Sequence, residues 1–119
     1  MPDQNNDNYS IIPHTSQPRV LLLCEDAGWT LPRHSGTTPE EINAAMREYP
    51  GLTTTVLTCV YDRYKDEERE EQHRVYALEN HSPGVSPPAN GRFINRAELA
   101  NLPLAVPDHR GVLEGWFEE

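Results

Sequence analysis

Basic charge is scarce in this chain. Lys and Arg total 10 against 19 Asp and Glu, giving a formal charge of -9 and a pI near 4.9, and no Lys/Arg cluster interrupts the excess. That balance repels nucleic-acid phosphates and anionic lipid, so neither nucleic acid nor a membrane is an expected partner. Apolar runs of bilayer-spanning length are missing, and the opening Met-Pro-Asp-Gln-Asn-Asn-Asp-Asn has neither the basic region nor the apolar core of a signal peptide. A cytoplasmic location is the expectation. Cysteine is nearly absent: Cys24 and Cys59 each sit in an apolar, strand-like run and form no Cys-x-x-Cys pair. Two buried, reduced thiols are expected, with a disulfide between neighbouring strands as the alternative. The histidines show no zinc spacing, since His73 and His81 lie too far apart along one strand, His14 falls in the N-terminal segment and His109 at a helix start. There is no glycine-rich phosphate loop, no Gly-x-Ser-x-Gly elbow, no His-Glu-x-x-His and no kinase catalytic loop, so phosphotransfer cannot reside in this chain.

What is present suffices for one domain. With 119 residues, 13.5 kDa, 36% hydrophobic content and a mean hydropathy of -0.72, the chain can bury one core between polar ends. Residues 1–18, rich in Asn, Gln, Asp, Ser and Pro, read as a flexible polar tail in which the Ile11-Ile12 pair could dock as a short edge strand. Residues 19–119 form the domain. Arg19 to Glu25 is a short apolar run closed by Asp26-Ala27-Gly28, the pattern of a strand buried on both faces before a tight turn. Thr53 to Tyr64 and Gln72 to Asn80, dense in Thr, Val and Tyr, predict a long hairpin whose tip is the solvated charge run Lys65 to Glu71. A Pro- and Gly-rich loop leads to an extended Arg92-Phe-Ile-Asn and a helical turn at Arg96 to Leu99. A last helix begins near Pro107 with Val112, Leu113, Trp116 and Phe117 packing inward.

The best-specified boundary is the start of the first helix: Thr38 as N-cap, Pro39 in the first helical position and Glu41 reaching back as the capping-box partner. Ile42, Ala45, Met46 and Tyr49 share its core face, and Pro50-Gly51 ends it. The element order predicts an α+β fold, an α/β/α sandwich with a mixed sheet between helices, and places Val20 to Cys24 in the same sheet as the hairpin.

That order, with the Trp29-Thr-Leu-Pro turn before a helix closed by Gly51-Leu52, resembles the Nudix hydrolases. The likeness covers roughly residues 19–119 as pattern, whereas the specific motif spans Leu31 to Leu52. Arg74-Val-Tyr-Ala-Leu-Glu-Asn-His, Asn90-Gly-Arg-Phe-Ile, Glu98-Leu-Ala and His109-Arg-Gly-Val-Leu-Glu-Gly-Trp-Phe are further similar to a Nudix-like segment found in front of bacterial phosphotransferases of the aminoglycoside-kinase type. The chain stops where such a kinase would begin. Active Nudix enzymes cleave nucleoside diphosphate derivatives with magnesium or manganese, hard cations that want several oxygens aimed from one helix face. With Gly51-Leu52 as the motif's end, its Glu-Glu pair falls on Glu48-Tyr49 and its Arg-Glu-hydrophobic step on Ala44-Ala45-Met46. Glu48 survives; Glu41, two turns earlier, can share its face. Leu31-Pro32 is followed by Arg33-His34-Ser35, where active members carry a glycine pair and a longer loop.

The resemblance therefore implies a catalytically degenerate Nudix-like module with a binding, regulatory or docking role, for a nucleotide-like ligand or a kinase-type partner domain, and with no cofactor. Two rivals stay open. In a divergent hydrolase, Glu41 and Glu48 would hold Mg or Mn, Arg33 and His34 would contact phosphate, Trp29 would contact substrate, and Asp62, Glu79 or Asp66 to Glu71 could lend ligands. In a small interaction protein, the sheet edge or the C-terminal helix would form a homodimer. Beside each site stands a plainer reading. Glu40, Glu41, Arg47 and Glu48 are the exposed side of a capped helix; Arg33 and His34 are exposed loop residues. Trp29, Tyr61, Tyr76 and Trp116, which could line a cleft for a flat ligand, are core aromatics.

Overall fold

The computed structural model describes residues 7–34, 36, 38–48, 51–64, 72–82, 84 and 86–118. Its strands are Asp7–Ile11 (β1), Arg19–Glu25 (β2), Gly28–Thr30 (β3), Arg33–His34 (β4), Thr54–Tyr64 (β5), Gln72–Asn80 (β6) and Gly91–Asn95 (β7). Its helices are Pro39–Glu48 (α1), Arg96–Leu99 (α2) and Asp108–Glu118 (α3). Alternation along the strands sends successive side chains into two separate cores. Val20 and Leu22 of β2 join Tyr9, Ile11, Val75 and Ile94 in a cluster that also takes Leu113 of α3. Leu21 and Leu23 join Ile12, Tyr76 and Leu78 in a second cluster that takes Ile42 and Met46 of α1. Both faces of β2 are therefore covered, which is why it reads as an unbroken apolar run. The fold is α+β, with α1 on one side of the sheet layer and α3 on the other.

The layer is split. Strands β4-β1-β6-β5 form a mixed sheet in which β1 and β6 run parallel, and β3-β2-β7 form an antiparallel one. The predicted single sheet holding both Val20 to Cys24 and the hairpin is corrected accordingly: the chain crosses from one sheet to the other after β1. There the Leu21 amide donates to the Ile12 carbonyl at 3.0 Å, and Pro13 bridges Val20.

Two further expectations are overturned. The polar tail predicted for residues 1–18 does not extend over Asp7–Ile11, which lies between β4 and β6 with Ile11 and Ile12 fully buried; residues 1–6 lie outside the described part. Its strand character was hidden because Asn8 and Ser10 are polar yet buried. Cys24 and Cys59 are free and exposed rather than buried, Cys24 because it follows the last buried residue of β2 and Cys59 because β5 is the outer strand of its sheet.

Capping fixes the helix starts. The Thr38 hydroxyl accepts from the Glu41 amide and the Glu41 carboxylate accepts from the Thr38 amide, each at 3.2 Å. Asn95 and Glu98 repeat the device at α2 with bonds of 2.8 and 3.0 Å. After α1 the amides of Gly51 and Leu52 both donate to the Met46 carbonyl at 2.9 Å, a turn that the positive φ of Gly51 permits. Tyr49 and Pro50 lie outside the described residues. Gly28, with φ of 130°, opens β3 where a Cβ would stand 2.8 Å from the Pro103 carbonyl. Its absence lets Trp29 donate to Pro103 and accept from Ala105. Arg110 of α3 donates to the carbonyls of Leu99 and Leu102, which ties α3 to the end of α2.

Candidate functional site

The motif carboxylates lie on α1. Glu41 and Glu48 are both exposed, and the Glu41 carboxylate is engaged in the Thr38 cap. Ala45, between them, packs against the core cluster beneath α1, and Ala44 is half-buried. Asp62 stands 3.8 Å from Arg74 and Glu79 stands 3.4 Å from His81, both on the hairpin. The run Asp66 to Glu71 lies outside the described residues. Among the described residues no group of three or more His, Cys, Asp or Glu side chains is gathered to hold a metal ion.

His34 is an interior residue, which corrects its reading as an exposed loop histidine. In β4 it pairs with Asn8 of β1, and its ring lies 3.2 Å from the Gly36 carbonyl through Nδ1 and 2.7 Å from the Ser10 hydroxyl through Nε2. A carbonyl can only accept, so Nδ1 carries the proton and Nε2 accepts from Ser10. Burial lowers the pKa of His34 and outweighs the opposing backbone bonds to Gly36 and Tyr9, which keeps the ring neutral. Asn8 beside it is 1% exposed, and its carboxamide finds no hydrogen-bond partner among the described residues. Arg33 points to the opposite face, exposed, with its guanidinium 6.0 Å from the centre of the Tyr9 ring. Trp29 packs half-buried on the core, with the Arg92 guanidinium 5.5 Å from its ring. The three residues proposed as substrate contacts are thus spread over different surroundings.

A concave feature lies on the α3 side. A cleft of about 390 Å³ runs between β5 and α3, lined by Val60, Tyr61, Asp108, Val112 and Trp116 and by two glycines, Gly111 and Gly115. The glycines fall one helical turn apart, and among the described residues no atom beyond their chain neighbours and the helix's own backbone comes within 4 Å of where either Cβ would be. They make a bare backbone floor between two aromatic walls. At one end the Tyr61 hydroxyl donates to Asp108 Oδ2 at 3.2 Å; desolvation first, and then the Asp108 charge, raise the pKa of this phenol. The Arg63 guanidinium sits 5.3 Å from the centre of the Tyr61 ring. Of the four aromatics considered as cleft residues, Tyr61 and Trp116 line this cleft, whereas Tyr76 belongs to the core under α1.

Sequence reasoning missed what lies beside it. His73 Nε2 and His109 Nε2 meet at 2.9 Å across 36 positions of sequence, one from β6 and one from the first turn of α3. Tyr9 stacks on His73 with ring centres 5.2 Å apart and forms a T-shaped pair with His109 at 4.5 Å, while Tyr61 and His73 form another at 5.5 Å. No spacing rule finds such a pair, because the parallel β1–β6 pairing and the return of α3 bring it together.

No protein-family model and no curated protein matches the sequence. Solved structures do. A Nudix-family hydrolase from Clostridium perfringens superposes with a TM-score of 0.69 at 12% identity, over 98% of each chain. A NUDIX hydrolase from Nitrosomonas europaea gives 0.69 at 14% identity, over 99% of this chain and 73% of that one. The fold is that of the Nudix hydrolases. A Sinorhizobium meliloti protein provisionally described as an oxidoreductase gives 0.72 at 20% identity; 92% of this chain matches, spanning 37% of that longer one. Within the Nudix fold, α1 is the helix on which the motif resemblance places the metal ligands.

Proposed function

We propose that this chain is a Nudix-fold binding module that takes a planar, nucleotide-like ligand in the β5–α3 cleft and does not hydrolyse it. The carrying observation is α1 itself, where Ala44 and Ala45 stand at motif positions for the Arg-Glu step, Glu41 serves the cap and Glu48 is the one motif carboxylate left on the helix. Magnesium needs several oxygens to offset its dehydration, and a single exposed carboxylate supplies few. The cleft suits a flat ring: Tyr61 and Trp116 offer stacking faces, the glycine floor admits close approach, and the Asp108 carboxylate accepts from N–H donors at a base edge. Guanosine, whose base edge carries adjacent N–H donors, is the favoured probe.

Calorimetric titration of the four ribonucleosides, with and without millimolar magnesium, tests this. Guanosine is expected to bind with no dependence on the metal, and Gly115→Leu, which fills the cleft without touching the core, is expected to abolish binding. Nucleoside diphosphate sugars, dinucleoside polyphosphates and nucleoside triphosphates should give no turnover above a blank. Metal-dependent turnover that disappears in Glu48→Gln would replace this reading with a divergent hydrolase.

A further inference from the structure

We propose that the β5–α3 cleft selects a flat ring that carries a positive charge, an N-alkylated heterocycle such as an N7-methylated guanine, and holds that charge against Trp116. The inference rests on the reading of the cleft as the ligand site and adds the sign of the ligand's charge. The α3 wall is a single helix face, because Asp108, Gly111, Val112, Gly115 and Trp116 follow the i, i+3, i+4, i+7, i+8 spacing. At a rise of about 1.5 Å per residue, Asp108 and Trp116 stand about 12 Å apart along the axis, with the bare glycine backbone between them. The cleft thus has a carboxylate end and an indole end.

The two ends treat a cation differently. At the carboxylate end the Tyr61 hydroxyl donates to Asp108 Oδ2, the Arg63 guanidinium already lies 5.3 Å from the Tyr61 ring centre, and the positive end of the α3 dipole adds to it. Both offset the Asp108 charge, so this end suits neutral N–H donors better than a further cation. At the indole end the balance reverses. Trp116 lies in the last turn of α3, where the negative end of the dipole favours a cation, yet that turn contains no basic residue and the nearby Arg96 is engaged with Glu118 at 3.0 Å. Indole is also the best of the aromatic faces for a cation. Among the described residues no Lys, Arg or His lines the cleft, and the chain as a whole carries -9, so a phosphate tail finds no counter-charge here. A guanine methylated on N7 meets both ends: its N–H edge faces Asp108, while the positive imidazolium part at the opposite edge lies over Trp116.

Calorimetric titration at about pH 6, above the ordinary carboxylate range, compares guanosine, N7-methylguanosine, the fused-ring cation 1-methylquinolinium, and choline, whose charge is not on a ring. N7-methylguanosine is expected to bind about 10-fold more tightly than guanosine. In Trp116→Phe, which keeps a ring with a weaker face, that margin should fall below about 3-fold. Gly115→Leu should abolish binding of every ring. Equal affinities of the two nucleosides overturn the cationic-ring inference and leave the ligand reading standing. A margin unchanged in Trp116→Phe, or choline bound as tightly as N7-methylguanosine, also overturns the inference. Cation binding that survives Gly115→Leu does so as well, because the acidic surface at large then attracts the probes. If neither nucleoside binds but 1-methylquinolinium does, and Gly115→Leu abolishes it, the nucleotide-like reading falls and the cationic ring stands. If no probe binds, both fall.

Discussion

The two sides of the sheet layer have been filled differently. Under α1 the packing is mostly aliphatic and closed: Ile42 and Met46 press on Ile12, Leu21, Leu52 and Leu78, with Tyr76 in the same cluster and Ala45 packed against it. Under α3 the aliphatic core gives way at one end to Tyr9, Tyr61, His73 and His109, with glycines and Asp108 opening a cleft. The contrast teaches that one sheet layer can carry a face closed by packed aliphatic side chains and a face opened into an aromatic-walled cleft.

The strongest test of the contrast is in the cores. Leu113→Ala on the α3 side and Ile42→Ala on the α1 side remove fully buried side chains, and each is expected to cost about 2–5 kcal/mol in urea unfolding. A cost below 1 kcal/mol for Leu113→Ala, as an order-of-magnitude threshold, would mean that α3 is not part of the folded core. Cap removal comes next. Thr38→Ala and Asn95→Ala should each cost about 1 kcal/mol by the same measurement, and no loss in either would mean that its capping box does not form in solution. The smallest effect has the opposite sign. Asn8→Leu exchanges a buried carboxamide without a partner among the described residues for an apolar group of similar size, and a gain of about 1 kcal/mol is expected. A loss instead would show that the carboxamide is satisfied, for instance by a trapped water.

How much could be read in advance depends on the range of the interaction. The α1 start was legible because Thr38, Pro39 and Glu41 act on one another within four residues, and β5 and β6 were legible because they are long, rich in β-formers and neighbours in sequence. Strand β1 was not, since its place is set by parallel pairing with residues 73–77 and two of its five residues are polar side chains that become buried. The motif comparison singled out Glu41 and Glu48, and the capping role of Glu41 was legible from its spacing to Thr38, whereas the burial of His34 depends on geometry that spacing does not carry. Tyr61 and Trp116 were recognisable as aromatics of a possible cleft; their convergence with Asp108, Gly111 and Gly115 required the docking of α3 on the sheet.

Strand β5 borders its sheet, and its pairing with β6 skips a residue twice, at Leu57 and at Val60. These two are the exposed large hydrophobic residues of the described structure, at 61% and 43%. An edge with two such irregularities is a poor template: a strand laid against it in regular register loses its hydrogen-bond phase after a few residues and must bulge at the same places to recover it. The chain can therefore display apolar side chains at a sheet border while discouraging the open-ended stacking of sheet upon sheet that leads to fibres.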